Sequence, residues 1–161
     1  MLSNQSTGLK WAWFCPFIFA LDQLTKYLAL VHLKMGLPIQ LMPFLNFNLA
    51  YNKGSAFSIL SEAGGWQIWL FATIAIVASY AIFVWLVRTP FERFIKNIAL
   101  SFILGGALSN LFDRVIHGYV IDFIQLYYQN WTWPTFNVAD SFISVGVVLL
   151  VIELFREDKA K

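Results

Sequence analysis

Charge is scarce in this sequence. Asp, Glu, Lys and Arg together make up 12% of its 161 residues, against about 25% in a soluble domain. A water-facing surface of ordinary size cannot be built from so few charges. At a formal net charge of +2, a basic face for nucleic acid is excluded too. Cysteine is nearly absent, and the single Cys15 rules out an internal disulfide or a dithiol redox pair. It lies in an apolar run and reads as a small buried or lipid-facing residue. Histidine is limited to His32 and His117. They stand far apart and outside an HExxH pattern, which argues against a zinc peptidase. Internal repeats, linkers and low-complexity stretches are also missing.

Apolar residues dominate instead, at 59%. A spanning helix needs about 20 mainly apolar residues, and four segments qualify or nearly so: 11–31, 66–87, 94–116 and 139–155. The second carries no charge. The fourth is short and is expected to gain length from its flanks. Lys10 followed by apolar residues looks like a secretory signal. However, no small-x-small site follows, and Ala12-Trp13-Phe14 before Cys15 does not make a lipobox, so a retained first helix is expected. The length fits one integral membrane domain over residues 1–161. The expected fold is an all-α membrane architecture of four transmembrane helices with a small extracytoplasmic platform containing β-structure.

The distribution of Lys and Arg orients the chain. Lys10, the Arg88/Arg93/Lys96 cluster and the tail residues Arg156, Lys159 and Lys161 fall on one side, which the positive-inside rule makes cytoplasmic. The long segments 32–65 and 117–138 then face outward. Within them Asn46-Phe47-Asn48-Leu49-Ala50-Tyr51 alternates polar and apolar residues as a half-buried strand does. Gly64-Gly65 and Trp131-Thr132-Trp133-Pro134 read as turns, the latter rich in interfacial aromatics.

A charge inside a span costs about 3 kcal/mol at the helix centre and marks a functional site by default. Asp22, Asp113, Arg114 and Asp140 are such residues. With Asn52, Asp122 and Asn137 they all fall on the outer half. Helical spacing puts Gly106, Asn110, Asp113 and Arg114 on one face, Asn137, Asp140, Ser141 and Ser144 on another, and Asp22, Thr25 and Lys26 on a third. Gly105-Gly106 permits close approach of a helix or a substrate backbone. Several of these residues also have plain structural readings. Asp22 and Lys26 can pair at i,i+4 with Lys26 snorkelling to the interface, Arg114 can bind lipid phosphate, Asp140 can be an N-cap, and Asn110 can join helices.

The cluster has no histidine or activated nucleophile, so carboxylates remain as its chemistry. Two carboxylates held close together share a proton. One then acts as base on a water while the other polarises a carbonyl, as in aspartic peptidases. Asp22, Asp113, Asp122 and Asp140 leave six pairings open. Asp22 and Asp113 each have a cation nearby while Asp122 and Asp140 have none local, which tilts the choice mildly toward Asp122 and Asp140.

Five blocks in order, Asp22-Gln23-Leu24-Thr25-Lys26, Asn52-Lys53-Gly54-Ser55-Ala56-Phe57, Gly105 to Arg114, Val120-Ile121-Asp122-Phe123 and Phe136-Asn137-Val138-Ala139-Asp140, resemble the motifs of the lipoprotein signal peptidase (signal peptidase II) family. The resemblance implies a bacterial inner-membrane aspartic endopeptidase without metal or organic cofactor. Such an enzyme cuts diacylglyceryl-modified prolipoproteins just before the lipidated cysteine and is inhibited by globomycin. It implies Asp122 and Asp140 as the catalytic dyad and Asn52, Asn110, Arg114 and Asn137 as substrate-site residues. Asp22, Asp113, Gly54 and Gly106 then have supporting roles. Ser109 departs from the family pattern, which more often has glycine before the asparagine. Tyr51, Phe57 and Trp66 suggest that the first outer segment folds over substrate as a cradle and lid. The competing readings are a small ion-coupled transporter, which would place its carboxylate near the midplane, and a structural protein whose polar residues only join helices.

Overall fold

The structure, a computed structural model, describes residues 7–54 and 65–159, with side chains as far as Arg156. Ser55, Ala56, Phe57, Gly64, Lys161 and the Lys159 side chain lie outside the described residues, and with them part of the second motif block and of the suggested lid.

Among the described residues four helices are long and apolar enough to cross a membrane: α1 (Phe14–His32), α2 (Trp66–Arg88), α3 (Phe94–His117) and α4 (Val138–Lys159). A 3-10 turn, Gly8–Trp11, precedes α1. The first span is therefore not one continuous α-helix from Trp11. Pro16 sits in the first turn of α1, where the missing N–H would have no intrahelical partner anyway. The fourth membrane-length stretch, within α4, starts at Val138 and runs to Arg156. α3 ends at Gly118, whose φ of 76° lets the chain turn while its N–H bonds back to Arg114.

Four strands form one antiparallel sheet in the order β1 (Ile39–Met42), β2 (Leu45–Asn52), β3 (Val120–Tyr128) and β4 (Trp131–Thr132). β2 is the strand that the alternation of Asn46 to Tyr51 predicts. Trp131-Thr132, expected as part of a turn, is instead the edge strand β4, paired to Tyr127 and Tyr128. The turn proper lies at Gln129 and Asn130.

α3 is the central post and packs against all three other spanning helices. This explains its polar content. Asn97, Ser101, Ser109, Asn110 and Asp113 are buried on it because they face protein rather than lipid. Cys15, Leu86, Ala99, Leu100, Leu104 and Leu150 make the apolar core between the helices. A second core, with Ala29, Leu33, Leu49, Ile121 and Phe123, fastens the sheet to the end of α1. The two glycines in α3 bring two different helices in. A Cβ on Gly105 would stand 3.0 Å from the Cys15 backbone of α1, and one on Gly106 would stand 2.6 Å from the Ala139 carbonyl of α4. Both neighbours are helices of this chain. At the end opposite the sheet, the Gly8 N–H bonds to Thr89 and Arg93 approaches Glu153, so the start of the chain, the α2–α3 connection and α4's far end meet there.

Candidate active site

The carboxylates gather where the sheet meets the ends of α1, α3 and α4. Asp122 lies on β3, buried to 1% exposure. Asp140 is in the first turn of α4. The two are joined through Asn137, which caps α4. Its Oδ1 accepts from the Asp140 N–H at 2.9 Å, and its own N–H donates to Asp140 Oδ2 at 3.2 Å. This is a reciprocal capping box. The Asn137 Nδ2 group is left to donate to Asp122 Oδ1 at 2.7 Å and to Asn110 Oδ1 at 3.1 Å. Asp140 is thus more than a cap residue: a single asparagine sets its place relative to Asp122.

Each carboxylate has a second amide. Asn52 Nδ2 donates to Asp122 Oδ2 at 3.0 Å while Asn52 Oδ1 accepts from the Gly54 N–H at 3.0 Å, which fixes the amide's orientation. Asn110 Nδ2 donates to Asp140 Oδ1 at 2.8 Å. The Arg114 guanidinium lies over the Phe71 ring and reaches the Asn110 and Gly54 carbonyls. Burial holds the Asp122 carboxyl well above the usual carboxylate range, at about 7, and the nearby charge of Asp140 raises it further, against the lowering effect of the two amides. Such a pair can hold one proton between its members near neutral pH and so present an acid and a base together.

Asp22 and Asp113 do different work. Lys26 Nζ lies 2.6 Å from Asp22 Oδ2 and 2.8 Å from Asp113 Oδ2. It also donates to Asn110 Oδ1 at 2.9 Å. The i,i+4 pair with Asp22 forms as its spacing suggests, but Lys26 does not snorkel: it is 1% exposed and points inward. Lys26, rather than the adjacent Arg114, is the cation on Asp113. Both carboxylates also hold backbone. Asp22 Oδ1 accepts from the Ala139 N–H of α4 and Asp113 Oδ2 from the Ile121 N–H of β3. Each therefore pins the backbone next to Asp140 or Asp122. Thr25 turns away from this group and lines a small apolar cavity beside Phe47 and Phe123.

Three participants were not legible as site residues. Lys26 is the hub of the buried network. Gln23 donates to Ser109 and Asp113. Ser109, noted only as a departure, is fully buried and donates to Asp22 Oδ2 at 2.7 Å. Their signal was the helical offset from recognised residues: Ser109 stands four before Asp113, and Lys26 four after Asp22.

Two cavities meet at the carboxylates. One, of about 610 Å³, runs along α3 and α4 past Arg114, Asp140, Ser144 and apolar residues such as Ile143 and Val145. The other, of about 340 Å³, lies over the sheet and reaches Asp122.

The model of the family described as Signal peptidase (SPase) II matches residues 14–156. The lipoprotein signal peptidase of Alteromonas mediterranea is 45% identical over 98% of this chain and 86% of its own length. That of Pseudoalteromonas atlantica is 47% identical over 94% and 93%, and that of Coxiella burnetii 46% over 94% and 93%. Two solved bacterial membrane enzyme structures superpose with TM-scores of 0.82 and 0.80 at 31% and 30% identity, each covering 96% of this chain and 90% and 97% of theirs. These likenesses give no support to a transporter. With a family model over most of its length and relatives of this similarity from end to end, the chain belongs to the signal peptidase II family of membrane aspartic peptidases.

Proposed function

We propose that this peptidase removes the signal peptide from diacylglyceryl-modified prolipoproteins by cutting just before the lipidated cysteine, with Asp122 and Asp140 as its dyad. The observation that carries this reading is the Asn137 bridge, which joins both carboxylates at the mouth of a cavity between membrane-spanning helices. The ionised member takes a proton from water as its oxygen attacks the scissile carbonyl. The protonated member polarises the carbonyl oxygen. Collapse of the tetrahedral intermediate breaks the C–N bond. The proton goes to the leaving α-amine of the cysteine, and the signal peptide departs as a carboxylate. Asn52, Asn110 and Asn137 hold the carboxylates, and Arg114 lines the cavity that receives substrate. Asp22, Asp113, Gly54 and Gly106 keep the supporting backbone in place.

The chain sits in the bacterial inner membrane as one integral unit, with both termini cytoplasmic and the sheet and dyad at the outer face. The basic residues at the opposite end, Lys10, Arg88, Arg93 and Lys96, support that orientation. Globomycin is expected to compete for the same cavity. The test is cleavage of a diacylglyceryl-modified prolipoprotein by purified protein, with Asp122→Asn and Asp140→Asn beside wild type. Loss in both folded variants sustains the dyad. Near-normal activity in either moves it to another pair, and no cleavage by well-folded wild type, even in lipid, defeats the reading.

A further inference from the structure

The two cavities differ in chemistry as well as in place. The cavity between α3 and α4 is walled by Val120, Phe136, Ile143 and Val145 and lies along helices that cross the membrane. The cavity over the sheet is lined by Asn48, Gln125, Thr132 and Thr135 together with Asn52 and Asp122. Asn52, Trp133, Pro134 and Thr135 line both, so the two are continuous at the dyad.

A local irregularity makes the second cavity polar. In a regular strand Asp122 and Gln125 would point to opposite faces. Here the register shifts between Phe47 and Ala50 of β2, opposite Asp122 to Ile124 of β3. The N–H groups of both Phe123 and Ile124 converge on the single carbonyl of Phe136. The shift behaves as a β-bulge with the extra residue in β2, where Asn48 and Leu49 stand opposite Phe123. Ile121 and Phe123 keep the ordinary alternation and face the core with Leu49 and Ala29, and past the doubled bond at Phe123 and Ile124 the alternation breaks, so that Gln125 lines the same cavity as Asp122. Gln125 Oε1 accepts from Asn46 at 3.4 Å, which directs its Nε2 group elsewhere. Among the described residues the Asn48 side chain has no hydrogen-bond partner.

We infer that the cavity over the sheet is the subsite for the polypeptide that follows the lipidated cysteine, and that Asn48 and Gln125 select polar residues there. This rests on the proposed cleavage of prolipoproteins. An apolar signal helix and two acyl chains belong with the membrane-level cavity. The scissile carbonyl lies between Asp122 and Asp140. The chain beyond it must leave toward the sheet, where it meets the amides and hydroxyls of Asn48, Gln125, Thr132 and Thr135 beside Ala50, Tyr51, Trp133 and Pro134. A polar residue can use those donors and acceptors. An apolar one buries them without partners, which a site built to hydrogen-bond penalises heavily.

The experiment compares prolipoproteins that differ only in the two residues after the cysteine, Ser-Asn against Leu-Leu, with purified wild type and the Asn48→Leu/Gln125→Leu double variant. Wild type is expected to prefer Ser-Asn roughly tenfold in kcat/KM. The double variant is expected to lose or reverse that preference through KM while still cutting the Leu-Leu substrate. If wild type cuts both substrates equally well, the subsite assignment is wrong while the peptidase reading stands. The same follows if a folded double variant slows both substrates by the same factor. If wild type cuts neither, the peptidase reading falls and the subsite with it. The wild-type comparison decides the matter even where the double variant does not fold.

Discussion

Replacing Lys26 with methionine keeps the length of the side chain and removes its charge. In the folded protein that ammonium is 1% exposed and lies within 3 Å of three acceptors, Asp22 at 2.6 Å, Asp113 at 2.8 Å and Asn110 at 2.9 Å. Removing one partner of a buried ion pair costs about 3–5 kcal/mol, because a charge is left without compensation. Here one cation serves two fully buried carboxylates, which puts Lys26→Met at the upper end, about 5 kcal/mol. That is comparable to the whole stability of a marginal domain, about 5–15 kcal/mol. Unfolding can be followed through Cys15, the single cysteine, which is 8% exposed against Ser101 and should react with a thiol dye only as the helices separate. The triple variant Lys26→Met/Asp22→Asn/Asp113→Asn removes the whole charge group and keeps its shape. It should regain most of the lost stability, since a buried ion cluster replaced as a unit is often near neutral. Activity should recover less, because the bond that orients Asn110 against Asp140 is still missing. A hydrogen bond to a charged group contributes about 1.5–3 kcal/mol, or roughly 10–100-fold in rate if it is all felt in the transition state. A single Lys26→Met variant as stable and as active as wild type would refute the reasoning.

Three further outcomes are expected. The Asp122 carboxyl is held at about 7 by burial and by Asp140, so raising the pH through that value removes the shared proton and leaves no acid for the carbonyl. kcat/KM should fall above about pH 7 by roughly tenfold per unit, and a flat profile up to pH 9 would contradict it. Gly106→Ala places a Cβ 2.6 Å from the Ala139 carbonyl. α4's first turn must move, which should cost about 1–3 kcal/mol and lower cleavage by displacing Asp140; unchanged thermal stability would count against the close packing. Asn137→Asp keeps a capping oxygen for the Asp140 N–H but sets an acceptor against Asp122. The cost of a third buried carboxyl offsets the cap's contribution of about 1 kcal/mol, so this variant should be no more stable and no more active than Asn137→Ala, and an active Asp variant would exclude the bridge.

The candidate dyad shows the limit of reading along the chain. Asp122 and Asp140 could be favoured over the other pairs, because Asp22 stands four residues from Lys26 and Asp113 stands beside Arg114. The first of these inferences names the right partner. The second does not, since the cation on Asp113 arrives from another helix. Likewise the alternation of Asn46 to Tyr51 predicted β2 but gave no sign of the register shift within it, nor of the broken alternation that brings Gln125 to the same cavity as Asp122.

That the chain holds four spans was determined by the sequence alone. A run of about 20 apolar residues has little alternative to a membrane helix, and that holds without reference to any distant residue. The clustering of polar residues near one end of those spans was determined the same way, by counting along each helix. Which polar residues meet was decided only by the tertiary structure. Asn52 and Asp122 are 70 residues apart, Lys26 and Asn110 84, and Asp22 and the Ala139 N–H 117. Bonds of this range form only when α3, through Gly105 and Gly106, has drawn α1 and α4 close enough for buried polar groups to find partners. Helix periodicity gives each residue a face, but not the depth or neighbour that the face will meet. That difference made Lys26 the centre of the site rather than a residue at the membrane surface.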